Sequence, residues 1–373
     1  MRIRHCLFSA ALVLAFCGPS NALTFNFTFT AGSSLQVQQA FIRAGARWSA
    51  ALTDDVTIDM TVGATNLSTG VIVSSGSRQT TFTYNNFRTA LTADQTSTVD
   101  ATAVGSLTAG SNFGLLINRT SDNPNGSGSA TPFVDVFGQN ASAINLTTAN
   151  AKALGLAVSS GTIGQCASTC DASIVFGNAF AYDYEPGDGI DAGTYDLVGL
   201  ATHEIGHALG FVSGVDILDL NSPPFNGPFA TDQFTFVSAL DLCRYSALSI
   251  ASNVIDFTAD TRAKFFSTDR GATAGPAFAT GRNFGDGRPA SHWKDGLGIG
   301  LMDPTGASGE LLVLRPNDLT AFDAIGWNVA VPEPAGFAAL ALGFAGLAAS
   351  GRARRQAQAP SNSARSVAAS ANR

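Results

Sequence analysis

Residues 194–214 read TYDLVGLATHEIGHALGFVSG, and the rest of the chain is arranged around them. His203 and His207 lie four residues apart in a segment that is predicted to be helical. This spacing puts both imidazoles on one face of the helix, where two nitrogens can reach one metal ion. Glu204 follows the first histidine and is placed to act on a water rather than on the metal. The pattern predicts a zinc hydrolase; the alternative is a structural helix that carries two histidines by chance.

The ends of this helix are also marked in the sequence. Thr194 or Asp196 can accept hydrogen bonds from the first free amides of the helix. Gly210 can adopt the left-handed conformation that lets the chain turn away at the helix end. These signals bracket the His-Glu-x-x-His segment.

A third protein ligand is required, because a catalytic zinc site uses three protein ligands and keeps its fourth position for water. The chain has four histidines. His5 lies in a predicted signal peptide and two others are already used, which leaves His292. Asp216, just after the helix, is the alternative third ligand because carboxylates also bind zinc.

The order of these residues resembles that of the metzincin metalloproteases. Members of this family carry His-Glu-x-x-His-x-x-Gly, then a third ligand and a turn that contains methionine. Compact metzincins have the third ligand six residues after the second histidine, where this chain has Ser213, a poor zinc ligand. Leishmanolysin-type metzincins have a long segment before the third histidine. Residues 24–328 are similar to that arrangement.

The resemblance implies which residues form the site. His292 is favoured over Asp216 as the third zinc ligand, because Met302 follows it by ten residues in Leu-Met-Asp-Pro. Met302 would then lie in the Met-turn, beneath the metal and not bound to it. Pro304 occupies the position where some metzincins have a tyrosine.

The resemblance also implies an α+β fold, in which a twisted mixed sheet and the active-site helix precede an irregular lower subdomain with a Met-turn and a C-terminal helix. The sequence pattern fits this order. Apolar residues alternate over 24–29 and 56–62, which predicts strands, and recur at helical spacing over 34–50. Residues 172–178 are interpreted either as an edge strand that pairs with the substrate backbone, as in the family, or as an ordinary sheet strand.

The segment between the second and third ligands, residues 216–290, is treated as an insertion. It is expected to contain a helix near 236–246 and an extended segment near 254–257. Residues 316–325 are predicted to form the closing helix, with Pro316 in its first turn and Gly326 at its end.

Both ends of the chain carry targeting signals. Residues 1–22 have the basic start, short apolar run and small-residue cleavage site of a secretory signal peptide. Pro332-Glu333-Pro334, the apolar stretch 335–350 and the arginines that follow resemble the PEP-CTERM sorting signal of Gram-negative bacteria. This resemblance implies transient anchoring by a transmembrane helix and cleavage by an exosortase.

The chain is therefore divided into four parts, which are a signal peptide (1–22), a catalytic domain (23–328), a sorting signal (329–355) and a cytoplasmic tail (356–373). The formal charge is −7, and the excess of acidic residues lies between the two basic ends. An acidic body argues against a nucleic-acid partner. The expected partners are a protein or peptide substrate, signal peptidase and an exosortase-type enzyme.

The cysteines and the acidic residues suggest two further features. Cys166 and Cys170 are expected to form a local disulfide in an oxidising compartment, which leaves Cys243 unpaired after removal of the signal peptide. The acidic, glycine-rich turn 183–191 could hold calcium, but its spacing does not match the EF-hand loop, and a solvated turn is favoured.

The expected function is that of an exported zinc endopeptidase at the cell surface or outside the cell. Zinc would activate a water molecule, and Glu204 would act as the general base. The alternative is an extracellular surface or matrix protein whose metal site only stabilises the fold. An intact Glu204 favours the enzyme, since a structural site has no use for a carboxylate beside its ligand.

Overall fold

Helices and strands alternate irregularly through the chain. The computed structural model describes residues 23–225, 227–230, 232 and 234–330. The helices in these ranges are α1 (Leu35–Ala51), α2 (Tyr84–Asp94), α3 (Thr98–Ser106), α4 (Thr148–Ala153), α5 (Leu197–Ala208), α6 (Val215–Asn221), α7 (Ala247–Ala251) and α8 (Pro316–Ala324). The strands are β1 (Thr24–Phe29), β2 (Thr57–Thr65), β3 (Val73–Ser77), β4 (Gln79–Thr83), β5 (Leu115–Ile117), β6 (Phe133–Asp135), β7 (Ala143–Thr147), β8 (Ala172–Gly177), β9 (Tyr182–Asp183), β10 (Tyr195–Asp196), β11 (Arg244–Tyr245), β12 (Ile255–Phe257), β13 (Lys264–Phe266) and β14 (Ala277–Phe278). The fold is α+β, with several small sheets.

The first three elements confirm the predicted strand–helix–strand order. β1 and β2 are parallel, and the crossover between them is α1. Gly45 of α1 allows the helix to lie close to β1, since a Cβ atom there would be 3.0 Å from the Phe27 ring and 3.1 Å from the Phe25 ring. The alternating aromatic residues of β1 therefore pack as core rather than as ligand contacts.

The largest sheet has the strand order β1-β2-β8-β3. β8 pairs in parallel with β2, and β3 pairs antiparallel with β8. The interpretation of residues 172–178 as an edge strand is wrong, because β8 has a partner on both sides. The edge position belongs to β3, which returns beside β8 from a loop after β2.

Helix α5 packs in the core against α1. Every residue from Leu197 to Ala208 except His207 is buried. Asp196 is its N-cap and accepts a hydrogen bond from the Gly199 amide at 2.7 Å, while Gly210 has a φ of +120° just beyond its end. Both predicted end signals are confirmed, and a hydrogen bond from Trp48 Nε1 to the Thr202 carbonyl (2.8 Å) fixes α1 on α5.

The segment 216–290 contains short elements rather than one long helix. The predicted helix near 236–246 is wrong: the structure has a 3₁₀ turn at Leu240–Cys243, followed by β11. The reason is that the Asp241 carboxylate accepts hydrogen bonds from Ser238 N (2.9 Å) and Gly214 N (2.8 Å), and the next residues pair with β13. The predicted extended segment near 254–257 is confirmed as β12.

Helix α8 closes the fold as predicted. Pro316 occupies its first turn, and Gly326 has a φ of +94° directly after it. The Phe322 ring lies 4.5 Å from Trp48, and Trp327 Nε1 donates to the Leu209 carbonyl at 2.8 Å. The closing helix therefore packs on both α1 and the end of α5.

The targeting segments are not part of this description. The signal peptide (1–22), the apolar stretch 335–350 and the tail 356–373 lie outside the described residues. Within the described ranges, no helix has the length and apolar character needed to cross a membrane.

Candidate metal centre

Three histidines from two distant segments meet in the core. His203 and His207 lie one turn apart on α5, and His292 comes from the loop that ends the insertion. His207 Nε2 is 3.0 Å from His203 Nε2 and 3.1 Å from His292 Nε2. The ligand atoms of the three residues all lie within 4.8 Å of one another.

The outer nitrogen of each imidazole faces a backbone carbonyl. The Nδ1 atoms of His203, His207 and His292 lie 2.9 Å, 2.7 Å and 3.2 Å from the carbonyl oxygens of Leu301, Phe211 and Pro289. A carbonyl oxygen can only accept, so each Nδ1 carries the hydrogen and each Nε2 has a free lone pair. Three lone pairs that face one another could bind a cation between them.

Burial keeps the imidazoles of His207 and His292 in the neutral form that binds a metal. Burial, and to a smaller extent the neighbouring His203, lowers the pKa of His207 to about 3. Burial likewise lowers the pKa of His292 well below its usual value, and His207 and His203 contribute to the shift. At neutral pH a proton therefore does not compete for these two lone pairs.

The spacing of the nitrogens fits a small cation. Three nitrogens about 2.0–2.1 Å from one Zn²⁺ in tetrahedral geometry lie about 3.3 Å from one another, close to the separations of 3.0 and 3.1 Å given above. The three-histidine group is the one cluster of at least three His, Cys, Asp or Glu ligands in the described ranges. It can bind a metal ion.

Glu204 lies beside the three histidines, in the wall of the same cleft. Its side chain is 9% exposed. Among the described residues, no group donates a hydrogen bond to its carboxylate or pairs with it. A buried carboxylate without a protein partner is costly, and Glu204 avoids part of this cost because it borders the open cleft.

Met302 packs against α5 at Gly206, between the two helical histidines. Its side chain is completely buried, and a Cβ atom at Gly206 would be 2.6 Å from the Met302 sulfur. Asp318 of α8 fixes this turn, since it accepts hydrogen bonds from Leu301 N (2.7 Å), Met302 N (3.3 Å) and Trp293 Nε1 (2.8 Å). This role of Asp318 could not be predicted from the sequence, where Asp318 is only an acidic residue in the first turn of a predicted helix.

Neither alternative to His292 lies among the ligands. The Asp216 carboxylate accepts hydrogen bonds from the amides of Ala290 (2.5 Å) and Ser291 (3.0 Å) instead. The Ser213 hydroxyl donates to Asp241 at 2.5 Å. The structure therefore brings His203, His207 and His292 together. The Asp216 and Ser213 side chains instead form hydrogen bonds with residues around the three histidines.

The two features predicted upstream of α5 are local. Cys166 and Cys170 form a disulfide, and Cys243 is a buried free thiol. In the acidic turn, the Asp183 carboxylate accepts hydrogen bonds from the amides of Glu185 (2.7 Å) and Asp191 (2.9 Å). These bonds organise the turn itself.

The three histidines line a cleft of about 790 Å³. Strand β3 lines this cleft, together with residues 287–289 and 303–306. Leu200, Gly306 and Leu312 also line this cleft and lie next to one another, since a Cβ atom at Gly306 would be 3.3 Å from Leu200 and 3.4 Å from Leu312. β3 could not be predicted as a strand that lines the cleft, because Val-Ser-Ser-Gly-Ser carries almost no strand signal.

Comparison of the chain with protein-family models, with curated proteins and with solved structures found no match. The function proposed below is therefore inferred from the geometry of the site.

Proposed function

We propose that this chain is an exported zinc-dependent endopeptidase that resembles the leishmanolysin-type metzincins. The observation that carries the proposal is the unpaired carboxylate of Glu204, which lies beside three converging imidazoles in an open cleft. A metal site that only stabilises the fold is expected to be closed by a fourth protein ligand, whereas a catalytic site leaves one position open.

Zinc is the metal that this ligand set favours. Three neutral imidazoles suit Zn²⁺ among the common biological metals, whereas carboxylate and carbonyl oxygens suit Ca²⁺ and Mg²⁺. When bound by His203, His207 and His292, Zn²⁺ would supply Lewis acidity, which lowers the pKa of water and polarises a peptide carbonyl.

Residues of the chain would transfer the proton and bind the substrate. Glu204 accepts a proton from the attacking water on a carboxylate oxygen and then delivers it to the nitrogen of the leaving amine. The free edge of β3 binds the substrate backbone in an extended conformation through main-chain hydrogen bonds. Leu200 and Leu312, which line the same cleft, contact an apolar side chain of the substrate.

Substitution of Glu204 by Gln tests this proposal. The amide keeps the size of the side chain but cannot accept a proton at catalytic pH, so we expect casein hydrolysis to fall at least 100-fold, in the range typical of general-base catalysis. Zinc content, measured by elemental analysis, should stay unchanged because Glu204 is not a ligand. Activity of Glu204→Gln within tenfold of wild type would contradict the proposed role.

The matched control is Glu185→Gln, which makes the same chemical change at an exposed ion pair with Arg43. It should keep both zinc and activity. A wild-type protein that holds zinc but does not cleave casein or a peptide library would instead favour a metal site that stabilises an extracellular surface protein.

Export and processing are part of the same proposal. We infer that signal peptidase removes residues 1–22 and that an exosortase-type enzyme cuts near 332–334, so that the C-terminal helix anchors the protein only transiently.

A further inference from the structure

The third histidine differs from the other two in how the chain holds it. His203 and His207 are fixed by the helix α5 that carries them. His292 lies in an irregular loop, where residues 289–292 belong to no helix or strand. Some contact outside this loop must therefore hold His292 at 3.1 Å from His207.

The Ala279 amide donates to the His292 carbonyl at 3.0 Å, and Asp216 on α6 holds the two residues before His292. Asp216 Oδ1 accepts a hydrogen bond from the Ala290 amide at 2.5 Å, and its Oδ2 accepts one from the Ser291 amide at 3.0 Å. The Ser291 hydroxyl also donates to Oδ2, while it accepts a hydrogen bond from Ser213 N at 2.8 Å. The Asp216 carboxylate thus fixes the backbone amides of the two residues that precede His292 to α6. The hydrogen bond from Ser213 N also joins Ser291 to the connection between α5 and α6.

We propose that Asp216 is a positioning residue that sets the third ligand of the metal centre. The inference rests on the metal centre of the proposed function. In a compact metzincin the residue at position 213 would bind the metal itself; here the Ser213 backbone and Asp216 instead hold the loop that delivers His292. Partners of this kind around metal ligands orient the ligand before the metal binds, and their loss costs about 10- to 100-fold in metal affinity.

The same helix provides a matched control. Asp219 is buried and accepts hydrogen bonds from two consecutive backbone amides, those of Asn283 (2.7 Å) and Phe284 (2.8 Å). It therefore has the same chemistry as Asp216 on the same element, but it holds a part of the insertion eight residues before His292. Asp219→Ala should lower stability without changing the metal centre.

The experiment compares Asp216→Ala, Asp216→Asn and Asp219→Ala with the wild-type protein. The dissociation constant for Zn²⁺ is measured by competition with a chromophoric chelator, and the visible spectrum of the Co²⁺-substituted protein reports the coordination. Asp216→Ala should weaken zinc binding at least tenfold and change the cobalt spectrum. Asp216→Asn should be intermediate, because its amide keeps one acceptor oxygen for the Ala290 amide.

Combination with His292→Ala separates positioning from general destabilisation. If Asp216 acts through His292, then Asp216→Ala should cause no further loss of zinc affinity in the His292→Ala protein. The inference is overturned if Asp216→Ala binds zinc like wild type, if its effect persists without His292, or if Asp219→Ala weakens zinc binding equally.

The outcome for the wild-type protein distinguishes this inference from the proposed function. Wild-type protein that binds zinc but hydrolyses no peptide would refute the peptidase and leave the affinity measurements decisive for Asp216. Wild-type protein without measurable zinc affinity would overturn both.

Discussion

Substitution of Gly206 by Ala probes how closely Met302 packs beneath the histidines. In an open helix this change is favourable by about 0.5–1 kcal/mol, because alanine loses less backbone freedom on folding. At Gly206, however, the new Cβ atom would lie 2.6 Å from the Met302 sulfur and 3.2 Å from the Trp48 ring. These separations are far below normal contact distance.

Neither neighbour can move away freely. Met302 is completely buried, and the Trp48 ring is held by its hydrogen bond to the Thr202 carbonyl. Overpacking a core in this way costs about 1–3 kcal/mol. Most of this range exceeds the gain in helix propensity, so Gly206→Ala should destabilise the protein by roughly 0–2.5 kcal/mol, with a midpoint near 1 kcal/mol, after the helix term is subtracted.

Gly105→Ala is the matched control, since Gly105 also lies within a helix, and a Cβ atom there would meet nothing within 4 Å. Urea unfolding followed by circular dichroism gives both free energies. We expect Gly105→Ala to be more stable than wild type and Gly206→Ala to be less stable. If the two variants are equally stable, the proposed packing of Met302 against α5 is refuted.

Three further predictions follow from the site, the core and the ends of the chain. His292→Ala should weaken zinc binding more than Asp216→Ala does, as measured by chelator competition, and wild-type zinc affinity in His292→Ala would exclude His292 as a ligand. Burial, with the nearby Asp100, raises the pKa of Asp323 from 3.8 to about 7. Between pH 3.8 and pH 7 the folded state therefore binds more protons than the unfolded state, and the free energy of unfolding falls as the pH rises toward 7. Asp323→Asn should therefore be more favourable to stability at pH 8 than at pH 5 in urea unfolding, and an equal effect at both pH values would contradict this. The intact mass of the protein from its native host should correspond to a chain that begins near Leu23 and ends near 332–334, whereas a chain that retains Arg373 would exclude C-terminal processing.

The elements with strong local signals could be predicted from the sequence. Alternation in 24–29, helical spacing in 34–50 and the capped helix 316–325 each depend on neighbouring residues, and the structure places all three elements there. The three histidines could be selected because composition left few candidates, and they do lie together.

Features that depend on distant contacts could not be predicted. β3 has small polar residues and becomes a strand only because β8 offers it an edge, so of the two interpretations of residues 172–178 the edge strand was wrong. Residues 236–246 have helical spacing, but the Asp241 carboxylate binds backbone amides across the α5–α6 connection instead. Asp216 was considered as a ligand because its residue type fits, whereas its hydrogen bonds to Ala290 and Ser291 span more than 70 residues.

The separation of the ligands along the chain links metal binding to folding. His207 and His292 are 85 residues apart, and the loop between them has to be ordered before their nitrogens can meet. The entropy of closing that loop is lost whether or not an ion is present, so the free energy of binding an ion adds directly to the stability of the folded insertion. Free zinc at 100 times its dissociation constant would contribute about 2.7 kcal/mol. The ion would thus act as a cross-link that only the completed fold can form, and a chelator would loosen the insertion first.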